Sequence, residues 1–443
     1  MPELRRSIGL SQATAMVVGT IIGASIFAQP SEITRLVPTG WGIVLVWLAA
    51  GVLASLGALV CAELASAFDE TGGIYVFLRE AYSPVLGFLW GWTSFWSIHS
   101  GIIAAIAMVF ARYAAVFVPV GDVGIQAMAI GAIAATSAIN YVGVETGSRV
   151  QTAFTAGKVL AILVMIAAGL LLTPAAAPGG PSAWAGADLA ADVSALHVRE
   201  ALLGVAAGLF AFGGWHMVTY AAGETLSASR TVPLALLLGT AIVTACYVAL
   251  NAVYLAILPL DALRTSTRVA ADAADRLVGG GGASAMAVLV MFSTFGSITG
   301  IVLAGARLYY SMARDGLMFR WAADVHPRYR TPARAIVLQG LCASALVATG
   351  TYRTLFTRVI YLEWLFFGLM AAGVFFLRAR PSYRPAFRTW GYPVAPLVFV
   401  VSSAAIVVNQ LFADPAESLF GLGVVAAGLP VYAVWIRPRR VAE

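Results

Sequence analysis

The chain has 443 residues, of which 60% are hydrophobic and 11% are charged, against about 25% charged residues in an ordinary soluble domain. A soluble fold of this length cannot cover so much apolar surface, so the composition excludes a soluble enzyme, a disordered protein and a nucleic-acid-binding protein. The net charge of +6 does not indicate a nucleic-acid partner, because the basic residues cluster in a few connecting segments. Such clusters determine the orientation of a membrane protein.

Apolar segments long enough to cross a bilayer follow one another along the whole chain. Because about 20 apolar residues cross the hydrocarbon once, the pattern predicts an all-α polytopic membrane protein with twelve spans. In chain order the predicted spans are 10–29, 41–67, 83–118, 123–141, 151–173, 199–223, 232–258, 284–313, 333–350, 354–378, 393–413 and 417–436. No convincing small-residue cleavage site follows the first span, so we expect it to be retained and not removed as a signal peptide.

The basic residues predict the orientation of these spans. Of the 27 Lys and Arg, 17 lie at the two termini or in the even-numbered connections. The opposite loops 174–198 and 259–283 are less basic and carry several Asp. Both termini are therefore expected in the cytoplasm. All basic residues but one are Arg, a bias that suggests a GC-rich genome, and we expect a cell membrane, specifically a bacterial inner membrane.

Two spans contain glycine-rich interruptions, at 19–27 in span 1 and at 210–216 in span 6. A Gly inside a helix costs about 1 kcal/mol relative to Ala, so the interruptions predict two broken helices. Because the two spans lie five apart, they occupy matching positions in two five-helix halves, the pattern of inverted-repeat transporters with a site at mid-membrane. Close helix packing through small residues is the alternative explanation.

A pair of broken helices offers binding groups from the backbone alone. The half-helix that restarts presents free N–H groups and a positive dipole end, which suit a carboxylate. The half-helix that ends presents carbonyl groups and a negative dipole end, which suit an ammonium group. Two such breaks at one depth favour a zwitterion, and glycine lets the ligand approach the main chain.

The chain resembles the amino acid–polyamine–organocation transporter superfamily, and within it the L-type amino-acid transporter branch. The resemblance covers nearly the whole chain, and its strongest stretches are 19–30, 62–73, 148–163, 210–224, 295–316 and 391–393. It implies the leucine-transporter fold, with ten core helices in a five-plus-five inverted repeat and two accessory helices. The implied units are the first repeat at 1–173, the second repeat at 199–378, and helices 11 and 12 with a cytoplasmic tail at 393–443.

The resemblance also implies the roles of the residues at both breaks. The N–H groups of Gly23, Ala24 and Ser25 are expected to bind the substrate carboxylate. The substrate amino group is expected to bind the carbonyls of Ile21, Phe210 and Gly213, with Phe210 as the gating aromatic residue. The remaining implied pocket residues are Ala211, Trp215 and His216. Ser25 departs from the glycine that the family often has there, and its hydroxymethyl group narrows the site against large substrates.

Lys158 is the only lysine of the chain and lies inside predicted span 5. A buried ammonium group costs several kcal/mol unless it is paired, although a snorkelling side chain is the simpler explanation. In sodium-independent relatives a lysine at this place resembles a built-in replacement for a sodium ion. Lys158 is then expected to bridge the broken first helix and span 8 near Ser297, which makes sodium unnecessary.

Three further polar side chains have more than one reading. His99 in span 3 is either a packing residue or a pH-coupling group, since histidine titrates near neutral pH. Glu363 in span 10 lies in a stretch that resembles the distal substrate pocket, where it can pair with a cationic side chain, carry a proton, or pair with an Arg elsewhere. Glu63 and Glu224, near the ends of spans 2 and 6, are expected to pair with Arg near the inner gate.

These features favour a sodium-independent secondary transporter of L-amino acids, working as an exchanger or with protons by alternating access. A polyamine, amine or cationic amino-acid carrier of the same fold is the alternative, supported by Glu363. No HExxH or GxSxG motif is present, so we expect neither an enzyme nor a metal or other cofactor. The expected partners are the small-molecule substrate and the lipid bilayer. A disulfide-linked heavy chain is not expected, because residues 118–123 contain no cysteine.

Overall fold

The structure is a computed structural model, and its regular elements are helical. It describes residues 8–436 except Ala24, Asp69, Gly143, 174–188, Ala195, Arg330 and 350–351. The side chains of 144–153, Ala190, Val193, Glu224, 352–354, 356–358 and 435–436 also lie outside the described part. Within that part, extended pairing is confined to one isolated contact between Ile8 and Thr225. The all-α class predicted from the composition is confirmed.

Within the described residues, eighteen α-helices cover the predicted apolar segments and three of the connections between them. The α-helices are α1 Leu10–Ile21, α2 Ser25–Leu36, α3 Gly40–Ala67, α4 Ile74–Ala81, α5 Pro84–Thr93, α6 His99–Ala114, α7 Asp122–Val142, α8 Val144–Leu172, α9 Leu189–Ser194, α10 Val198–Ala211, α11 Ala228–Ile257, α12 Leu260–Thr265, α13 Val269–Val278, α14 Gly282–Arg314, α15 Ala333–Thr349, α16 Tyr352–Arg378, α17 Val394–Ala413 and α18 Pro415–Val431. Tighter 3₁₀ helices cover Trp215–Glu224 and Arg320–Ala323, and π-helical turns cover Ser94–Ile98 and Tyr432–Ile436.

In the part of the chain that the structure describes, fewer than twelve helices reach the length and hydropathy of a membrane span. Among the described residues, 10 helices are long and apolar enough to cross a membrane, or 11 when α1 and α2 are counted as one bent span. The predicted span 333–350 corresponds to α15, an apolar helix of 17 residues, which is short for a span of about 20 residues. A membrane protein with many spans is therefore established, and the number twelve stays a prediction.

The outer surface of the helix bundle is as apolar as its interior. Leu171 is 82% exposed in α8, and Phe412 is 78% exposed in α17. Apolar side chains exposed in this number would make a soluble protein aggregate, but they suit a surface that contacts lipid. The polar backbone stays satisfied because these elements are helices, whose hydrogen bonds lie within the segment.

The broken first span lies inside the bundle and not at its edge. Helix α1 packs against α8, α11, α14 and the 3₁₀ helix Trp215–Glu224. Its buried side includes Val17, Val18 and Thr20, each 5% exposed or less. The glycine-rich interruption of span 1 therefore lies next to the interruption of span 6, at the centre of the fold.

Within the described ranges, four short helices occupy connections that the hydropathy pattern leaves as loops: α4, α9, α12 and α13. Helix α4 is tied to the end of α14 through Arg79, whose guanidinium is 2.5 Å from Asp315, 2.9 Å from Glu80 and 3.0 Å from Glu70. The Tyr75 hydroxyl donates a hydrogen bond to the same Asp315 carboxylate. Burial, and then this carboxylate, raise the pKa of Tyr75 above its ordinary value, so the hydroxyl keeps its proton for that hydrogen bond.

The contacts of the Glu63 carboxylate confirm the prediction that this residue pairs with an arginine. Its carboxylate accepts hydrogen bonds from Arg378 Nη2 at 2.6 Å and Nε at 2.8 Å, and from the Thr389 N–H at 2.7 Å. The Tyr383 hydroxyl lies 3.4 Å away, and burial together with Glu63 raises its pKa. The cluster fastens α3 to the end of α16 and to the segment before α17. The side chain of Glu224 lies outside the described residues.

We expect Arg378→Lys to destabilise the protein by about 1–2 kcal/mol, because lysine cannot replace a two-pronged guanidinium on a buried carboxylate. The apparent Tm of the purified protein in detergent should then fall by about 1–2 °C. Arg334→Lys is the matched control, since its ion pair with Asp324 joins side chains that are 61% and 57% exposed. Exposed pairs contribute little to stability, so equal shifts in the two variants would contradict this role of Arg378.

Candidate functional site: two interrupted helices around a small cavity

The first interruption separates α1, which ends at Ile21, from α2, which begins at Ser25. The two helices meet at an angle of 44°. The N–H of Ile22 still bonds to Val18 O at 2.9 Å, so the helical pattern stops directly after it, at Gly23. The end of α1 therefore presents carbonyls and the start of α2 presents N–H groups to one space. Ala24, a predicted carboxylate-binding residue, lies outside the described residues.

The second interruption follows α10, which ends at Ala211. Gly214 has φ +93°, a left-handed conformation that favours glycine, and the chain continues as a 3₁₀ helix from Trp215. A Cβ atom on Gly214 would lie 2.9 Å from Thr20 O, and the Thr20 hydroxyl donates to Gly214 O at 3.0 Å. The two interruptions therefore touch, and glycine at 214 permits the contact.

Tyr247 in α11 joins the same two interruptions. Its hydroxyl lies 3.0 Å from Ile21 O and 3.1 Å from Ala211 O, the last residues of α1 and α10. One hydroxyl proton serves one of these carbonyls at a time, so Tyr247 holds the two helix ends at a shared hydrogen bond. Tyr247 was not among the predicted site residues, although a phenol within an apolar span is a detectable signal.

We expect Tyr247→Phe to lower amino-acid uptake about 10-fold, because two buried carbonyls at the site lose their donor at about 1–3 kcal/mol. Initial rates in proteoliposomes at matched protein content measure this. Tyr361→Phe is the control, since the Tyr361 hydroxyl also makes a buried bond, to Ser418 O at 2.6 Å, away from the interruptions. A similar loss in both variants would show a general effect of losing a buried hydroxyl.

A cavity lies between the two interruptions. Six predicted residues line it: Ile21, Gly23, Ser25, Phe210, Gly213 and Glu363. Six residues that were not predicted also line it: Thr20, Ile102, Ile106, Gly214, Met217 and Ile301. Its volume of about 20 Å³ holds roughly one water molecule, so an amino acid can bind only after the surrounding segments move apart. The wall is mostly apolar, with a carboxylate at Glu363.

Three predicted pocket residues lie beside the cavity without lining it. The carbonyl of Ala211 faces Tyr247, as described above. Trp215 and His216 are 1% and 0% exposed and pack on Phe367, with ring centroids 5.0 and 4.9 Å apart. The turn at Gly214 carries both side chains behind the cavity wall, so their contact with a substrate stays a prediction.

His99 belongs to this aromatic cluster. Its ring lies 6.3 Å from Trp90 and 5.8 Å from Tyr220, and its Nδ1 atom lies 3.4 Å from the Tyr309 hydroxyl. Its Nε2 atom has no hydrogen-bond partner in the described part of the chain. The position suits a packing residue as well as a pH-coupling group, and the latter stays a prediction.

Lys158 lies where the sequence places it, next to the first interruption. Its Nζ atom donates to Gly19 O at 2.6 Å, Ile22 O at 2.7 Å and Ser297 Oγ at 3.0 Å. Ser297 Oγ also lies 3.2 Å from Ile22 O. The side chain is 1% exposed and uses all three donors of the ammonium group, so the snorkelling explanation is wrong.

Glu363 points into the cavity from α16. Its side chain is 1% exposed, and Oε2 would lie 4.0 Å from a Cβ atom on Gly213. Its Oε1 atom has no hydrogen-bond partner, and no arginine pairs with it within the described residues. Within the described residues, pairing of Glu363 with an arginine therefore finds no support. The two remaining explanations are that Glu363 pairs with a cationic side chain of the substrate or that it carries a proton.

Comparisons with known proteins cover almost the whole chain. A family model described as "Amino acid permease" matches residues 8–428. The chain is 30% identical to the b(0,+)-type amino acid transporter 1 of Homo sapiens over 98% of this chain and 88% of that protein. It is 27% identical to the cystine/glutamate transporter of Homo sapiens, over 98% and 86%. It is 29% identical to the large neutral amino acids transporter small subunit 2 of Oryctolagus cuniculus, over 97% and 80%.

Proposed function

We propose that this chain, which belongs to the amino acid permease family, carries amino acids by holding the zwitterion between its two interrupted helices. The carboxylate is bound at the start of α2, by the N–H groups at Gly23 and Ser25. The ammonium group is bound by the carbonyls of Ile21, Phe210 and Gly213 at the two interruptions. The observation that carries this proposal is that helix ends of opposite polarity meet at one cavity.

The substrate side chain then extends toward Glu363 and the apolar wall. The carboxylate of Glu363 favours amino acids with a cationic side chain, while Ile102, Ile106 and Ile301 favour apolar side chains. The relatives named above include proteins for large neutral amino acids and for cystine and glutamate, so the family accommodates different side chains. Glu363 also supports a polyamine or amine carrier, but such a substrate has no carboxylate for the start of α2.

Transport is proposed to be independent of sodium. The ammonium group of Lys158 contacts two carbonyls of the first interruption and Ser297 of α14. A sodium ion prefers such a set of oxygen atoms, and the Lys158 ammonium group occupies it instead. Replacement of sodium by choline should leave the uptake rate of the wild-type protein unchanged.

The topology and assembly are proposed from the sequence. The basic residues at both termini and in the even-numbered connections support cytoplasmic termini and a cell membrane, specifically a bacterial inner membrane. The repeat units remain 1–173 and 199–378, with 393–443 as an accessory part. Of the three cysteines, Cys61 is buried and Cys246 and Cys342 are half-buried. Together with the cysteine-free loop 118–123, they support a carrier without a disulfide-linked heavy chain.

The test is uptake of a labelled amino-acid panel into proteoliposomes in the absence of sodium, with the lumen empty or preloaded with unlabelled amino acid. Uptake only after preloading identifies an exchanger. Equal uptake into empty vesicles, stimulated by an inward proton gradient, identifies a proton-driven importer. Uptake of putrescine with no uptake of any amino acid would overturn the proposal in favour of an amine carrier.

A further inference from the structure

Glu363 is a buried carboxylate in the described cavity that has no partner of opposite charge. Its Oε1 atom makes no hydrogen bond, and no described Lys or Arg pairs with it. It also lies beside Gly213, at the carbonyl end of α10. The helix dipole places a partial negative charge there, which disfavours an ionised carboxylate. An ionised carboxylate here costs several kcal/mol unless a positive charge compensates it.

The groups around Glu363 do not supply that charge. Tyr220 interacts with it electrostatically, and the rings of His216 and His99 pack on Tyr220 with centroids 5.6 and 5.8 Å away. The other titratable or charged side chains on elements that pack against α16 are Cys61, Glu63, Tyr75, Arg79, Glu80, Arg112, Tyr113, Arg199, Glu200 and Glu417, and Tyr309 of α14 lies near Tyr220. The ammonium group of Lys158 is taken by the carbonyls of the first interruption.

The substrate decides how Glu363 is compensated. An amino acid with a neutral side chain has no net charge, and the helix ends take both of its charged groups. Such a substrate leaves Glu363 uncompensated, and only a proton on the carboxylate balances the site. An amino acid with a cationic side chain brings the missing charge itself, and the proton must then leave.

We propose that Glu363 holds either a proton or the cationic side chain of the substrate, so that exchange of a neutral for a cationic amino acid moves a proton with the neutral one. This rests on the proposed function. On one side of the membrane the O–H bond of Glu363 breaks, the proton goes to water, and the ammonium or guanidinium group of the substrate pairs with the carboxylate. On the other side the cationic substrate leaves and a proton from water restores the acid.

The consequence is an electroneutral exchange. One cationic amino acid enters, while one neutral amino acid and one proton leave. A carrier whose Glu363 kept one protonation state throughout would instead move one net charge in each such exchange. The two cases therefore differ in the pH change of the lumen and in the response to membrane potential.

The experiment uses proteoliposomes of the full chain that are preloaded with unlabelled leucine and a trapped pH dye, with labelled lysine outside. We expect the lumen to become alkaline by one proton for each lysine taken up. An inside-negative potential set with valinomycin should change the lysine rate by less than about twofold. Glu363→Gln should lose lysine uptake and the alkalinisation together, and Glu363→Asp should retain both in part.

Three results would overturn the inference. Lysine uptake that is strongly accelerated by the potential, with no change in lumen pH, would show that a net charge moves. Leucine exchange without lysine uptake would show that Glu363 does not accept a cationic side chain. Absence of uptake of every amino acid would refute the proposed function and this inference with it, which distinguishes the two failures.

Discussion

Amino-acid uptake should fall at least about 100-fold when Lys158 is replaced by alanine. The ammonium group makes hydrogen bonds of 2.6 and 2.7 Å to two carbonyls of the first interruption and of 3.0 Å to Ser297. Without it, each of these buried acceptors is left without its charged donor, which costs about 1–3 kcal/mol. The end of α1 also loses its connection to α14. Initial rates of uptake into proteoliposomes, at matched protein content, measure the effect.

Two further variants make the result specific to the site. Lys158→Gln retains a hydrogen-bond donor without the charge, and its uptake should lie between those of the wild type and the alanine variant. Arg264→Ala removes a cation whose side chain is 52% exposed in α12, and its uptake should match the wild type. A Lys158→Ala protein that elutes as a single species in gel filtration and transports normally would refute the role of Lys158.

The second large effect is expected on selectivity, from Glu363→Gln. A buried ion pair that loses one partner costs about 3–5 kcal/mol, and about 1.4 kcal/mol corresponds to a factor of ten. The ratio of lysine uptake to leucine uptake should therefore fall at least about 100-fold. The measurement is parallel uptake of the two labelled amino acids into vesicles from one protein preparation.

Asp261→Asn is the matched control for this change in charge. The Asp261 side chain is 90% exposed and pairs with Arg264 within α12, so its loss should leave the lysine-to-leucine ratio unaltered. A Glu363→Gln protein with the wild-type ratio would show that the substrate side chain does not reach α16. The zwitterion site at the interruptions would then need another partner for selectivity.

The sequence was sufficient for the class of the fold and for the main features of the site. A surface that contacts lipid requires apolar residues, so composition and hydropathy identify a membrane protein directly. Family membership confirms the prediction of an amino-acid transporter and not an enzyme. The glycine stretches mark where α1 and α10 end, because glycine is the residue that tolerates the turn at Gly214. Lys158 was conspicuous because no other lysine is present.

The residues that sequence reasoning missed have ordinary sequence surroundings. Ile102, Ile106 and Ile301 are apolar residues in apolar helices, and only the packing of α6 and α14 brings them to the cavity. Tyr247 reaches both interruptions from α11, at a separation along the chain that no local pattern encodes. Trp215 lies behind the cavity because of a backbone turn, which composition does not specify.

The most direct test of the zwitterion site uses competitors that lack one charged group. Labelled lysine uptake is measured against unlabelled lysine, against cadaverine, which lacks the carboxylate, and against 6-aminohexanoate, which lacks the α-amino group. If the helix ends hold both charged groups, only lysine should compete strongly, with each analogue at least about 10-fold weaker. Cadaverine that competes as well as lysine would contradict the carboxylate site at the start of α2.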